Sequence, residues 1–205
     1  MQRIAFVLLA LLGAAAVCQA QDKARMDQIV RSYADAGNFA GAVLVARGSD
    51  VIVSKAYGLA NVEWNIPSTP TTRFKVASIT KQFTAAAILL LEERGKLKID
   101  DLVKVHLSEA PPAWDGITLF HLLTHTAGFP GLQSPPTGRQ PPVESPDGTV
   151  AGYVTALMQR PLESQPGERF NYTNAGYFIL GHLIQKLTGQ SYETFIRENS
   201  SRRSA

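Results

Sequence analysis

Cysteine is almost absent from this sequence, since Cys18 is the only one in 205 residues. It lies in an apolar leader that we expect to be removed after Ala20, and the remaining chain would then have no thiol. Such a chain cannot form disulfides, use a thiol as nucleophile or bind a metal through sulfur. His106, His121 and His182 show no metal-ligand spacing. We therefore expect neither a metal nor a cofactor.

Charge of either sign is also scarce and nearly balanced. Charged residues make up 18% of the chain, and the formal net charge is +3 at pH 7. Arg3 is the only charged residue among the first 20, so loss of the leader lowers the net charge to +2 (3 − 1). Basic residues do not form a stripe interleaved with aromatic ones, and we therefore expect no nucleic-acid partner.

The N-terminus has the pattern of a secretory signal. One positive charge at Arg3 precedes the apolar run 4–17, and small residues end the leader at Ala20. The run is shorter than the roughly 18 to 20 residues that cross a bilayer. We predict a signal peptide at 1–20, a mature domain at 21–205, a periplasmic or secreted location and no stable membrane insertion after cleavage. Lipidation of Cys18 remains the alternative.

The rest of the chain alternates between strand-like and helix-like patterns. Runs rich in β-branched residues at 41–46 and 51–57 flank a short polar stretch, which predicts a β-hairpin. The Gly- and Pro-rich stretch 128–148 predicts a long surface loop. Apolar residues at helical spacing predict helices at 22–36, 79–94, 118–125, 150–160, 174–187 and 192–198. We expect the helix at 79–94 to be largely buried.

Ser78 and Lys81 stand three positions apart at the predicted start of that helix. A serine becomes nucleophilic when a base removes its proton, and a lysine serves as base when its ammonium form is disfavoured. At a helix N-terminus both side chains share one face, and the positive end of the helix disfavours the ammonium. Ser-x-x-Lys also arises by chance about once in a chain of this size. The pair alone therefore does not indicate a catalytic site, and the surrounding sequence must decide.

A second group of residues, Tyr172 and Asn174, lies in a loop before a predicted helix. The two side chains can project to the same side. Tyr172 could then relay a proton to and from Ser78, and Asn174 could bond Lys81 or a substrate carbonyl. The simpler interpretation is a surface tyrosine followed by an asparagine N-cap.

Three phrases together resemble the serine β-lactamase-related family. They are Phe-Lys-Val-Ala-Ser-Ile-Thr-Lys at 74–81, Leu-Leu-Thr-His-Thr-Ala-Gly-Phe-Pro at 122–130, and the segment from Pro166-Gly through Tyr-Thr-Asn-Ala-Gly-Tyr-Phe. The family includes class C β-lactamases, penicillin-binding D-alanyl-D-alanine carboxypeptidases, esterases and D-aminopeptidases. The resemblance extends over about 39–195.

The resemblance implies a fold and a set of roles. The fold is α+β, with an antiparallel sheet packed against helices and a helical subdomain. Ser78 would be the acylated nucleophile, Lys81 its proton acceptor, Tyr172 the general base and acid partner, and Asn174 a substrate-binding residue. His125 would support the site without transferring protons. The substrate would be a β-lactam, a D-alanyl peptide or an ester, and neither the choice among them nor the oligomeric state follows from the sequence.

The family's third motif, Lys-Thr-Gly or His-x-Gly, does not occur in these 205 residues. We therefore expect the C-terminal strands of the fold to be missing. Two hypotheses remain open: an exported serine hydrolase represented by its N-terminal part, and a catalytically inactive truncated remnant or binding protein of the same fold. Because the hairpin would lack the strands with which it pairs in that fold, we expect the 205-residue chain itself to be poorly stable and essentially inactive.

Overall fold

Residues 23–130 and 145–200 are described by a computed structural model of the chain. The predicted signal peptide at 1–20 lies outside these residues, as does most of the predicted surface loop. The chain divides after Lys75 into two compact units. We call them the N-terminal unit (described residues 23–75) and the C-terminal unit (described residues 76–130 and 145–200).

The N-terminal unit contains the predicted helix and the predicted hairpin. Helix α1 covers residues 23–35. Strands β1 (Gly41–Arg47) and β2 (Asp50–Tyr57) pair antiparallel. Both strands are rich in β-branched residues, which favours this pairing, and the prediction of a hairpin is confirmed.

A second small sheet was not anticipated by the sequence patterns. Strands β3 (Leu59–Asn61) and β4 (Ile66–Pro67) pair antiparallel directly after the hairpin. They are only three and two residues long, which is too short to show an alternating pattern, and a proline in a strand argues against one.

Asp27 links α1 to strand β2. Its carboxylate accepts a hydrogen bond of 2.6 Å from the Tyr57 hydroxyl and lies 3.0 Å from Nζ of Lys55. Arg31, one helical turn further on, donates to the same carboxylate at 3.1 Å. These bonds, first of all that from Tyr57, hold the pKa of Asp27 well below its usual range.

Helices form the C-terminal unit. A 3₁₀ turn at Ala77–Ile79 leads into the first of them. The α-helices are α2 (Thr80–Glu93), α3 (Val103–His106), α4 (Leu119–Leu123), α5 (Val150–Met158), α6 (Ala175–Thr188) and α7 (Tyr192–Ser200). Helices α2, α4, α5, α6 and α7 confirm the corresponding predictions, whereas α3 was not predicted. With helices and antiparallel sheets in one chain, the predicted α+β class is confirmed.

Helix α6 is the centre of the C-terminal core. Half of its 14 residues are buried, among them Ile179, Leu180 and Leu183. The helix approaches α4 closely because Gly176 has no side chain: a Cβ there would lie 3.1 Å from the Leu122 carbonyl oxygen. The core therefore fixes the position of the N-terminal end of α6, where the predicted site residues lie.

Helix α2 is less buried than predicted. Its buried residues form one stripe, Thr84, Ala87, Ile88 and Leu91, at the 3.6-residue period of a helix. Phe83 lies outside this stripe and is 42% exposed. The expectation of a largely buried helix is therefore wrong, because only one face of α2 contributes to the core.

Candidate active site

Ser78 lies in the 3₁₀ turn immediately before α2 and is exposed. The residue before it, Ala77, has φ +44°, in the left-handed region that residues with a Cβ seldom adopt. Such a conformation costs on the order of 1 to 3 kcal/mol and is concentrated at functional sites. The turn thus presents the Ser78 hydroxyl in a strained and exposed position.

Lys81 follows in the first turn of α2. Its Nζ donates to Ser78 Oγ at 3.2 Å and to Asn174 Oδ1 at 2.7 Å. The three-residue spacing brings the serine and the lysine together on one face, as expected from helix geometry.

Tyr172 completes the contacts of the serine. Its hydroxyl donates to Ser78 Oγ at 2.8 Å across 94 residues of sequence. Nζ of Lys81 lies 4.8 Å from the centroid of the tyrosine ring. Hydrogen bonding with Lys81, and then with Ser78, lowers the pKa of the Tyr172 phenol from its ordinary value of 10.0. A lower pKa makes it easier to form the phenolate, which is the form of Tyr172 that can accept a proton.

Asn174 occupies the N-cap position of α6, but its side chain makes no capping hydrogen bond. The neighbouring Thr173 hydroxyl instead accepts from the Ala175 N–H at 3.2 Å. The Asn174 amide oxygen is thus available to Lys81. The interpretation of Asn174 as an ordinary cap is therefore wrong for its side chain.

The segment 124–129 holds the loop that carries Tyr172. Three backbone N–H groups of the loop donate to this segment at 2.8 Å each: Glu163 to Gly128, Gly167 to Thr126, and Asn171 to His125. The Leu-Leu-Thr-His-Thr-Ala-Gly phrase thus supports the site, as the resemblance implied.

Tyr177 was not predicted at the site, whereas His125 was expected to support it. The Tyr177 ring lies 5.5 Å from Nζ of Lys81, and its hydroxyl donates to the Leu123 carbonyl at 3.0 Å. His125 lies between Tyr172 and Tyr177, with ring centroids 4.5 and 5.1 Å away. The only signal in the sequence was the position of Tyr177 one helical turn after Asn174, which places both on one face of α6.

A cavity of about 440 Å³ opens beside Ser78 and Lys81. Its walls include three aromatic side chains, Tyr177, Phe178 and Tyr192. Within residues 23–130 and 145–200, no group of three His, Cys, Asp or Glu side chains could hold a metal ion. None of the helices in that same part of the chain has the length and apolar content needed to cross a membrane.

Comparison with known proteins identifies the class to which this fold and site belong. A profile of the family described as Beta-lactamase matches residues 26–203. Because that match covers most of the chain, the chain belongs to the Beta-lactamase family, and the resemblance drawn from the three sequence phrases is confirmed.

Individual relatives support the same assignment. The chain is 33% identical over 177 residues to "Protein flp" of Staphylococcus aureus (strain COL), covering 84% of this chain and 35% of that protein. It is 35% identical over 162 residues to "Penicillin-binding protein 4*" of Bacillus subtilis (strain 168), covering 78% and 35%. The chain thus spans about a third of the length of these curated relatives.

Solved structures show the same fold. EstCE1, described as a hydrolase with promiscuous acyltransferase activity, superposes with a TM-score of 0.72 at 27% identity. The superposition covers 89% of this chain and 51% of EstCE1.

Proposed function

We propose that this chain carries the nucleophile of an exported serine hydrolase and that Ser78 is acylated by its substrate. The observation that carries the proposal is the position of Ser78 Oγ, 3.2 Å from Lys81 Nζ and 2.8 Å from the Tyr172 hydroxyl. Activated serine nucleophiles have a base within hydrogen-bond reach and a further group that orients that base. Asn174, bonded to Lys81 at 2.7 Å, supplies the orienting contact.

In acylation, Ser78 Oγ forms a bond to the substrate carbonyl carbon while the bond from that carbon to the leaving group breaks. The base is either Lys81 Nζ or the Tyr172 oxygen, whichever of the two is unprotonated. It takes the serine proton and then donates that proton to the leaving group. Water subsequently attacks the acyl carbon, gives its proton to the same base and releases Ser78 with its hydroxyl restored.

The substrate class we propose is an acyl compound with a good leaving group: a β-lactam, a D-alanyl peptide or an ester. The penicillin-binding relative and the hydrolase EstCE1 support this range. The N-terminal apolar run supports export, and we propose cleavage after Ala20 and action in the cell envelope or outside it.

Covalent labelling tests the proposal. The complete gene product is incubated with a fluorophosphonate or with a fluorescent penicillin, and the labelled peptide is identified by mass spectrometry. Ser78 should carry the label, and Ser78→Ala should abolish it. Lys81→Ala and Tyr172→Phe should each slow labelling by about 10² or more, since each removes a proton acceptor. Ser108→Ala, at an exposed serine after α3, is the matched control and should label normally.

Two outcomes contradict the proposal. Persistent labelling of Ser78→Ala would assign the nucleophile to another residue. A folded protein that binds penicillin reversibly, without a covalent adduct, would support the alternative of an inactive remnant or a binding protein.

A further inference from the structure

We propose that His125 is a positioning residue that holds Tyr172 against Ser78, through ring contacts and a hydrogen bond to the backbone of the loop. The inference rests on the proposed function of Ser78 and Tyr172. His125 touches neither Ser78 nor Lys81 by any hydrogen bond described above, so it acts on the chemistry through Tyr172.

The backbone of His125 is the first observation. His125 has φ +59°, one of three non-glycine residues with positive φ among the described residues. A residue with a Cβ seldom adopts this conformation, so the surrounding contacts must offset its cost. In this conformation its carbonyl accepts the Asn171 N–H at 2.8 Å, one residue before Tyr172.

The ring of His125 is the second observation. It lies against the Tyr172 ring at 4.5 Å and 36°, and against the Tyr177 ring at 5.1 Å and 30°. Phe170 closes the stack from its edge, at 5.8 Å and 80°. Aromatic contacts of this kind stabilise the packing beyond the area that they bury. The His125 ring therefore packs against one face of the Tyr172 ring and restricts its position.

The hydrogen bond of the imidazole is the third observation. Nδ1 accepts from the Thr173 N–H at 3.4 Å, one residue after Tyr172. An accepting Nδ1 requires a neutral ring with its proton on Nε2. Burial, and then the charge of Lys81, lowers the pKa of His125 from its ordinary value of 6.5. The ring is thus neutral at pH 7 and in the state that can hold the loop.

Protonation of His125 should loosen Tyr172. The imidazolium cannot accept from Thr173, and it places a second positive charge near Lys81. The titratable groups packed around it are Lys81 on α2, Tyr172 in the loop and Tyr177 on α6. Acylation of Ser78 should therefore fall as the pH drops through the pKa of His125, below 6.5.

Two variants test whether His125 positions Tyr172. The rate of acylation by a fluorophosphonate is measured in each from pH 4.5 to 9. His125→Asn tolerates positive φ and retains an acceptor but has no ring; we expect a loss of about 10²-fold, because a small misplacement of a reacting group has that effect. His125→Phe retains a ring and should lose less at pH 7, but the step in rate below pH 6.5 should disappear. His106→Asn, at a histidine paired with Asp101, is the control and should keep the wild-type profile.

A second measurement does not depend on activity. In the wild-type chain labelled with ¹³Cζ-tyrosine, the Tyr172 resonance, assigned with Tyr172→Phe, should shift as His125 takes up its proton. If Ser78 is never labelled but Tyr172 shows this step, the proposed hydrolase function fails and the positioning role stands. If acylation and the Tyr172 resonance show no step below pH 6.5, or if His125→Asn acylates at the wild-type rate, the positioning role is overturned. Variants that only lower the melting temperature and keep the wild-type pH profile would also overturn it.

Discussion

The two units of this chain are stabilised by different interactions. The C-terminal unit has one continuous core of twenty buried apolar residues from Ala87 to Phe195. In the N-terminal unit, the buried hydrophobic side chains among residues 23–75 are Val53 and Tyr57. There the charge cluster around Asp27 joins α1 to the hairpin.

This difference bears on function because all four predicted site residues belong to the C-terminal unit. Ser78 lies in the turn before α2 and Lys81 in its first turn. Tyr172 and Asn174 lie in the loop that leads into α6. A rigid core beneath both helix ends keeps reacting groups within the narrow distances that catalysis requires. The N-terminal unit, whose two-stranded sheets are marginal elements by themselves, contributes none of these side chains.

The largest effect on stability should come from the C-terminal core. Phe129 is 1% exposed and packs edge-on against Trp114 at 5.1 Å. Phe129→Ala should lower the free energy of unfolding by about 3 to 5 kcal/mol, because it leaves a cavity in a close-packed core. The chain has two tryptophans, so in a Trp64→Phe background Trp114 fluorescence reports urea unfolding of this unit alone.

Val105→Ala is the matched control for that substitution. Val105 is 65% exposed on α3, and its truncation should change stability by about 0.5 kcal/mol at most. Equal losses in the two variants would mean that the C-terminal core is not the stabilising element we describe.

Sequence patterns predicted elements whose periodicity extends over several turns or strand pairs. Helix α6 is of this kind, since its apolar residues recur at the helical period. The β1–β2 hairpin was predicted from two runs rich in β-branched residues that flank a short polar stretch. Strands β3 and β4 and the four-residue α3 were missed because segments so short have no period.

The site was predictable only in part. The spacing of Ser78 and Lys81 is a local property of a helix, and it gave the right juxtaposition. Their contacts with Tyr172 and Asn174 join residues more than 90 positions apart, and no local pattern specifies such a contact; it was expected only from the resemblance. The place of His125 depends on a backbone conformation that its residue type does not indicate, because positive φ usually marks a glycine or asparagine.

A smaller effect is expected from the corresponding apolar residue of the N-terminal unit. Val53 is 1% exposed in the middle of β2. Val53→Ala removes two methyl groups and should cost about 1 to 2 kcal/mol. Hydrogen exchange followed by mass spectrometry should show faster exchange in β1 and β2 and an unchanged rate in α6. Faster exchange in α6 as well would show that the two units unfold together, and the contrast drawn above would then be wrong.

The smallest effect, and the most specific to the N-terminal unit, is the pH dependence set by Asp27. The pKa of this carboxyl is lowered from its ordinary value of 3.8, first by the hydrogen bond from Tyr57 and then by those from Lys55 and Arg31. A depressed pKa means that the unfolded chain takes up the proton more readily than the folded one, so the contribution is complete above about pH 4 and is lost as the pH falls further. Asp27→Asn should therefore lower the melting temperature of the hairpin at pH 7 and reduce the dependence of that temperature on pH below about 4. Thermal loss of the Val53 methyl resonances measures this melting temperature. The control is Asp35→Asn, at an exposed acid at the end of α1.

If the Asp27→Asn and wild-type hairpins melt alike at pH 7, the carboxylate does not hold α1 to β2, and the sparse apolar contacts must do so alone.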